Sequence, residues 1–271
     1  MSSQTLSADT ITFLGTGGAR FMVSRQLAAS GGLWLDLHGT RFLIDPGPGS
    51  IVQAARLKKD PETLDAIILS HRHLDHSTDA NVMIEAMTRG GHRRRGRVYA
   101  PADCLGEEPV VFSYLRKWVD EVVVLHEGGE YRLGDIAFST PVRHVHSAET
   151  YGLTFRTPRA AFSYIADTSY FDGLGVYAGQ DLLIVNMVFV RPVPGVAHLA
   201  VADVVPLLAE LKPRAALLNH YGMPVWEAGP ERLAAEISRA SGVRVVPARD
   251  GMVFDLATLD EAAPGEVPAD G

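Results

Sequence analysis

A buried strand that runs straight into a cluster of imidazoles constrains this chain more than any other segment. Ala66-Ile67-Ile68-Leu69-Ser70 is an apolar run that reads as a buried strand. It is followed at once by His71-Arg72-His73-Leu74-Asp75-His76, in which four of six side chains are metal-ligand types. Polar groups of that density at the end of a buried strand are costly unless something pairs them, and a divalent cation is the simplest partner. His71 and His73 lie two apart, so an extended backbone puts both on one side. Asp75 and His76 follow one turn on, and two ligand pairs this close can feed two neighbouring metals. Histidine and carboxylate donors suit zinc, iron or manganese rather than a thiolate site. Further ligands must come from later strand ends: His144, His146, Asp167 and His220 each stand just beyond an apolar run.

The rest of the chain reads as α/β. Strands are expected over residues 10–16, 33–37, 41–44, 66–70, 98–100, 122–125, 136–138, 182–188, 215–218 and 251–254, with a hairpin over 151–164. Helices are expected over 50–57, 81–87, 203–211 and 230–240, with Ser77 and Thr78 as caps of the second. There is no strong internal repeat, only a weak two-half pattern. The pattern predicts two mixed sheets covered by helices. With 271 residues and 46% hydrophobic content the core is ample. One domain over residues 1–259 is expected, followed by a disordered acidic tail over 260–271. The apolar Met187-Val188-Phe189-Val190 stretch allows either core packing or a homodimer interface.

Charge and cysteine usage narrow the partners. The net charge of −7, from 25 Lys+Arg and 32 Asp+Glu, gives little long-range attraction to polyanions. The lone Cys104 excludes an internal disulfide and agrees with a reducing cytoplasm. The first residues show no signal-peptide pattern and no run is long enough to span a membrane, so a cytoplasmic protein without a membrane partner is expected.

The His-x-His-x-Asp-His segment resembles the signature of the metallo-β-lactamase-fold hydrolases, whose fold is an αββα sandwich. The resemblance extends from Phe13-Leu14-Gly15-Thr16-Gly17 to His220. It implies that His71, His73 and His146 hold one metal, that Asp75, His76 and His220 hold a second, and that Asp167 bridges them. It also implies that Asp45 hydrogen-bonds a ligand from behind. His146 is preferred to His144 because His146-Ser147-Ala148-Glu149-Thr150-Tyr151-Gly152 resembles the ribonuclease Z branch. An aspartate at 167 rather than a cysteine departs from the common β-lactamases. A histidine at 73 rather than a glutamate departs from the flavodiiron oxygen reductases.

The resemblance therefore implies a hydrolase with two divalent ions, zinc first and manganese or iron next, that attacks a phosphodiester or cyclic phosphate through a metal-bridging hydroxide. Asp75 would orient or deprotonate that nucleophile. His198 is similar in position to a histidine that assists phosphate chemistry in ribonuclease Z and the cyclic-phosphate diesterases, although Leu199-Ala200 replaces the small hydroxyl residue after it. Arg25 lies near where that branch carries an arginine and would bind substrate oxygens. The basic loop over residues 92–97 offers a second anion contact or a solvated turn. Residues 169–197 leave no room for the glycine-rich arm of ribonuclease Z, so a small ester is expected and transfer RNA is not. A lactone or thioester hydrolase on the same centre is the alternative. A mononuclear iron persulfide dioxygenase is the alternative from another class.

Overall fold

Apolar runs with two buried faces become the inner strands of two seven-stranded sheets. The computed structural model describes residues 9–260, so the acidic tail expected over 260–271 lies, Asp260 apart, outside the described residues. In chain order the strands are β1 (Thr10–Phe13), β2 (Leu33–Leu37), β3 (Thr40–Ile44), β4 (Ala66–Ile68), β5 (Arg97–Ala100), β6 (Glu121–Val124), β7 (Gly129–Leu133), β8 (Ile136–Thr140), β9 (Leu153–Arg156), β10 (Ala161–Ile165), β11 (Leu182–Asn186), β12 (Ala215–Asn219), β13 (Arg244–Pro247) and β14 (Val253–Asp255). The helices are α1 (Ala19–Arg25), α2 (Ser50–Arg56), α3 (Leu74–Ser77), α4 (Ala80–Met87), α5 (Val201–Leu211), α6 (Met223–Ala228) and α7 (Pro230–Ser241).

The first sheet is ordered β14-β1-β2-β3-β4-β5-β6 and the second β13-β12-β11-β10-β9-β8-β7. In the first, β14 to β3 pair antiparallel and β3 to β6 parallel. The second repeats that plan, antiparallel from β7 to β10 and parallel from β10 to β13. The weak two-half pattern of the sequence thus corresponds to one sheet per half, with β14 returning to the first.

Alternation along each strand divides the core into layers. Phe42 and Ile44 of β3 and Ile68 of β4 face the opposite sheet, among Phe138, Phe155 and Phe162. Leu43 and Ile67 face the other way, against Met83, Ile84 and Met87 of α4. On the second sheet, Leu183 and Val185 of β11 pack on Val204 and Leu208 of α5 and Ile237 of α7. Each ring buried between the sheets contributes roughly 1.5–3 kcal/mol. The outcome is the expected αββα sandwich. Met187, at the end of the apolar stretch after β11, belongs to the core between the second sheet and its helices. No helix among the described residues is long and apolar enough to cross a membrane.

Local expectations failed in three places. Ser77 and Thr78 do not cap α4; their hydroxyls donate back to the carbonyls of Arg72, His73 and Leu74. The end of the His-rich segment itself winds into α3, and a hydroxyl readily bonds such nearby carbonyls instead of capping. Strand β1 stops at Phe13 because Gly15 must pass close to another backbone: a Cβ there would lie 2.3 Å from the Ala29 carbonyl oxygen. Finally, α1, α6, β7 and β13 were not expected. Helices α1 and α6 each bury one side chain, Met22 and Val225, so neither shows an amphipathic repeat. Strand β13 sits at a sheet edge with every residue half-buried.

Candidate metal centre

Ligand-type side chains gather where parallel strands end, the place where open α/β sheets collect ligands. Asp45 follows β3, residues 71–76 come after β4, Asp167 follows β10 and His220 follows β12. Asp45 and His220 hold left-handed backbones, with φ of 51° and 59°. That conformation costs a residue with a Cβ roughly 1–2 kcal/mol and turns the chain sharply at the strand end. Gly18 closes the corner over His220: a Cβ there would lie 2.2 Å from the imidazole. The same turn bonds the chain after His220, through Gly18 N–H to Tyr221 O and Tyr221 N–H to Thr16 O.

His71, His73 and His146 form the first group. His73 Nδ1 lies 3.1 Å from His71 Nε2 and 3.0 Å from His146 Nε2. The opposite nitrogens fix the tautomers. His146 Nδ1 faces the Ala197 carbonyl oxygen at 2.9 Å, and a carbonyl only accepts. His71 Nδ1 lies 3.0 Å from Ser70 Oγ, whose own proton goes to Asp45 Oδ2 at 2.6 Å. Both rings therefore carry their proton on Nδ1 and aim bare Nε2 lone pairs at His73 Nδ1. One proton on His73 cannot satisfy both. A shared cation can, since nitrogens bound at about 2.0–2.1 Å to tetrahedral zinc lie about 3.3–3.4 Å apart.

Asp75, His76, Asp167 and His220 form the second group. His76 Nε2 is 3.3 Å from Asp167 Oδ2 and 3.8 Å from Asp75 Oδ2. His220 Nε2 is 3.2 Å from Asp75 Oδ2. His76 Nδ1 donates to Asp45 Oδ2 at 2.9 Å, which leaves Nε2 buried without a hydrogen-bond partner. A buried nitrogen of that kind between two carboxylates is resolved by a cation. Asp167 Oδ2 is also 3.9 Å from His71 Nε2 and so stands between the two groups.

One carboxylate orders most of this. Buried Asp45 accepts from Ser70 N–H and Ser70 Oγ at 2.6 Å, and from His76 Nδ1 and Tyr164 Oη at 2.9 Å. Tyr164 Oη accepts from Asn186 Nδ2, which also donates to Asp167 Oδ1, each at 2.9 Å. Asp45 thus reaches His76 directly, His71 through Ser70, and Asp167 through Tyr164 and Asn186. Sequence reasoning singled out Asp45 but missed these three relays. Their only signal was a polar group within or just past an apolar strand.

Electrostatics follow the donor set. Burial pushes the His71 imidazole well below its ordinary value, and His76 acts in the same sense. Burial lowers His73 too, with help from His146. Burial opposes charge on His76, yet Asp167, Asp75 and Asp45 around it hold its imidazole well above the usual value. Burial raises Asp75 and Asp167, but the histidines beside them outweigh it and hold both carboxyls well below the usual range. The carboxylates call for positive charge between them, which is what a divalent ion supplies.

The remaining expected residues are placed unequally. His144 turns away, buried, with Nε2 2.8 Å from Tyr177 Oη, and burial pushes it down to about 4. His198 precedes α5 without capping it; the N-cap is Ala200. Its Nδ1 lies 3.5 Å from Asp167 Oδ2, its ring packs 5.1 Å from that of His146, and burial pushes it down to about 4. His146, Asp167 and His198 make a third set of converging donors. A cleft of about 440 Å³ opens beside His198. Arg25 lies on α1, the helix whose first turn touches the cluster. It is exposed in the last turn of α1, whose first N–H, from Ala19, donates to Asp75 Oδ2 at 2.9 Å. In the basic loop, Arg94, Arg95 and Arg97 bond backbone carbonyls of Val119, Asp120, Glu62, Leu64 and Arg132. Those arginines serve the fold locally, and Cys104 is buried and free.

A profile of the family described as Beta-lactamase superfamily domain matches residues 40–221, from β3 to just past His220. An uncharacterized protein of Methanocaldococcus jannaschii is 32% identical over 255 residues, covering 91% of this chain and 94% of that relative. A ribonuclease Z of Methanopyrus kandleri is 32% identical over 148 residues, 54% of this chain and 50% of the relative, so the match spans half of that enzyme. The crystal structure of the metallo-beta-lactamase fold protein YhfI from Bacillus subtilis superposes with a TM-score of 0.77 at 20% identity, covering 92% of this chain and 100% of that one. At that identity it speaks for the fold alone. With its αββα sandwich, its histidines and carboxylates at the strand ends and these likenesses, the chain belongs to the metallo-β-lactamase superfamily of metal-dependent hydrolases.

Proposed function

We propose that the chain hydrolyses a phosphodiester or cyclic phosphate of a small substrate on a dinuclear metal centre. His71, His73 and His146 would hold one divalent ion and Asp75, His76 and His220 the other, with Asp167 between them. The all-nitrogen-and-oxygen donor set suits zinc, and also manganese or iron. When bound, such a pair supplies an activated water and positive charge for the developing oxyanion.

The protein's own residues position and protonate. Asp75 Oδ2, held by Ala19 N–H and 3.2 Å from His220 Nε2, would orient the attacking water or take its proton. Water adds to phosphorus, the P–O bond to the leaving group breaks, and the departing oxygen takes a proton. His198 is the observation that carries the phosphodiester reading. It is an imidazole outside both ligand trios, beside Asp167 and at the edge of a cleft. Burial keeps it neutral at rest; an anionic phosphate in the site favours its protonated form, which then serves the departing oxygen. The likeness to a ribonuclease supports phosphodiester chemistry, and the acidic balance favours a small substrate over transfer RNA.

The test compares two leaving groups on the zinc-loaded protein. His198→Ala should slow a diester with an alkoxide leaving group by about 10²-fold or more, because that oxygen needs a proton. A p-nitrophenyl diester, whose leaving group needs none, should be affected far less. Lactone opening by a wild-type protein that leaves diesters untouched would instead establish the lactone or thioester alternative.

A further inference from the structure

The cleft beside His198 has a chemistry of its own. Its wall joins the apolar surfaces of Tyr170, Pro192, Val193 and Val196 to the polar Ser169, His198 and Asp203, and among the described residues no lysine or arginine lines it. Its one carboxylate, Asp203, is engaged in accepting the Ala200 N–H at 2.9 Å. Tyr170 and Val196 are each 41% exposed and Val193 39%. Val145, beside His146, is 48% exposed, and its carbonyl accepts the N–H of Ser169, which also lines the cleft. These apolar surfaces are carried by the segments that bring His146, Asp167 and His198 to the centre. Isolated exposed apolar side chains need no explanation, but several on one cleft wall next to a reactive centre mark a binding surface.

We infer that this cleft holds an apolar alkyl or aryl substituent of the substrate, so that the ester cleaved is a singly charged phosphodiester of a hydrophobic alcohol. The inference rests on the phosphodiester reading for the reacting group, and on the cleft alone for the substituent. A nucleotide or sugar phosphate would bring a second charge or a shell of hydroxyls to a wall whose described lining, His198 beside the reacting phosphate apart, offers no cation to pair with them. The cleft's volume of about 440 Å³ lies in the range of small-molecule sites, roughly 300–1,000 Å³. Transfer of each methylene from water onto such a wall is favourable by about a factor of three to four when fully covered.

The experiment is calorimetric binding of methyl-, butyl- and hexylphosphonate to the zinc-loaded protein, with uridine 5′-monophosphate as the polar competitor. Affinity should rise with chain length, by at least about tenfold from methyl to hexyl. Tyr170→Ser and Val196→Ser, both at exposed positions that tolerate change, should flatten that rise. Equal affinity across the series, or tighter binding of the nucleotide than of hexylphosphonate, overturns the inference. A protein that shows the chain-length dependence but cleaves no phosphodiester would keep the apolar cleft and refute the reaction. Turnover of diesters without any chain-length dependence would do the reverse.

Discussion

Replacing Asp45 by asparagine tests the ordering of the whole centre, because four hydrogen bonds end on that carboxylate. The amide would keep the volume and could still accept from Ser70 N–H. Its hydrogens would face His76 Nδ1, Ser70 Oγ and Tyr164 Oη, which all donate to Asp45. His76 could escape that clash only by moving its proton to Nε2, the nitrogen that should bind the ion. Two effects follow. Removing one partner of a buried charged pair costs about 3–5 kcal/mol. With one hydrogen bond retained, a loss near the lower end is expected, lowering the Tm of the metal-free protein by roughly 6–12 °C. Independently, a partner that orients a ligand is worth about 10–100-fold in metal affinity. Thermal denaturation of the metal-free protein measures the first effect, and competition with a chelator of known affinity measures the second. If Asp45→Asn bound zinc as tightly as the wild type, Asp45 would not set the His76 tautomer, and the reasoning from hydrogen-bond direction would fail.

Two further outcomes are expected. Gly18→Ala, whose Cβ would land 2.2 Å from the His220 ring, should displace that imidazole and, under the proposed two-metal centre, lower metal content by about one ion per chain; unchanged stoichiometry by elemental analysis would contradict the placement of His220. The pH dependence of the metal-free protein should carry a His198 contribution with a definite sign. Its folded value, about 4, lies below that of an exposed imidazole, so the unfolded chain takes up the proton first. The group has no effect above about pH 6.5, and it destabilises increasingly as pH falls toward 4, by at most about 3 kcal/mol. Denaturation of wild type and His198→Gln across that window should converge at the acid end relative to neutral pH, and parallel curves would count against a buried neutral imidazole.

Much of the site was legible because its information is local. Residues 66–76 announce a buried strand and its ligands within eleven positions, and Asp167 and His220 also close apolar runs. The fold class followed from the same runs, since only a strand covered on both faces is apolar at successive positions, as Ile67 and Ile68 are. Helix α1 was illegible because a seven-residue helix that buries one side chain leaves no period to read. The role of Arg25 depended on that missed helix, which leaves its last turn exposed.

By itself the sequence determined which kinds of atom would meet at the strand ends, imidazole nitrogens and carboxylate oxygens of the sort that suit a divalent cation such as zinc. Spacing alone did not separate His144 from His146, two apart in one loop outside any regular strand; only the likeness of the segment after His146 to the ribonuclease Z branch favoured His146. The tertiary structure decided it by giving His144 to Tyr177 and His146 to the Ala197 carbonyl, 51 residues away. It likewise fixed which nitrogen of each ring faces the centre. That choice belongs to the hydrogen-bond partner on the far side of the ring. Asp45 reaches His76 because β3 and β4 lie side by side in the first sheet, whereas Tyr164 on the second sheet, 119 residues from Asp45, reaches it only when the two sheets pack face to face.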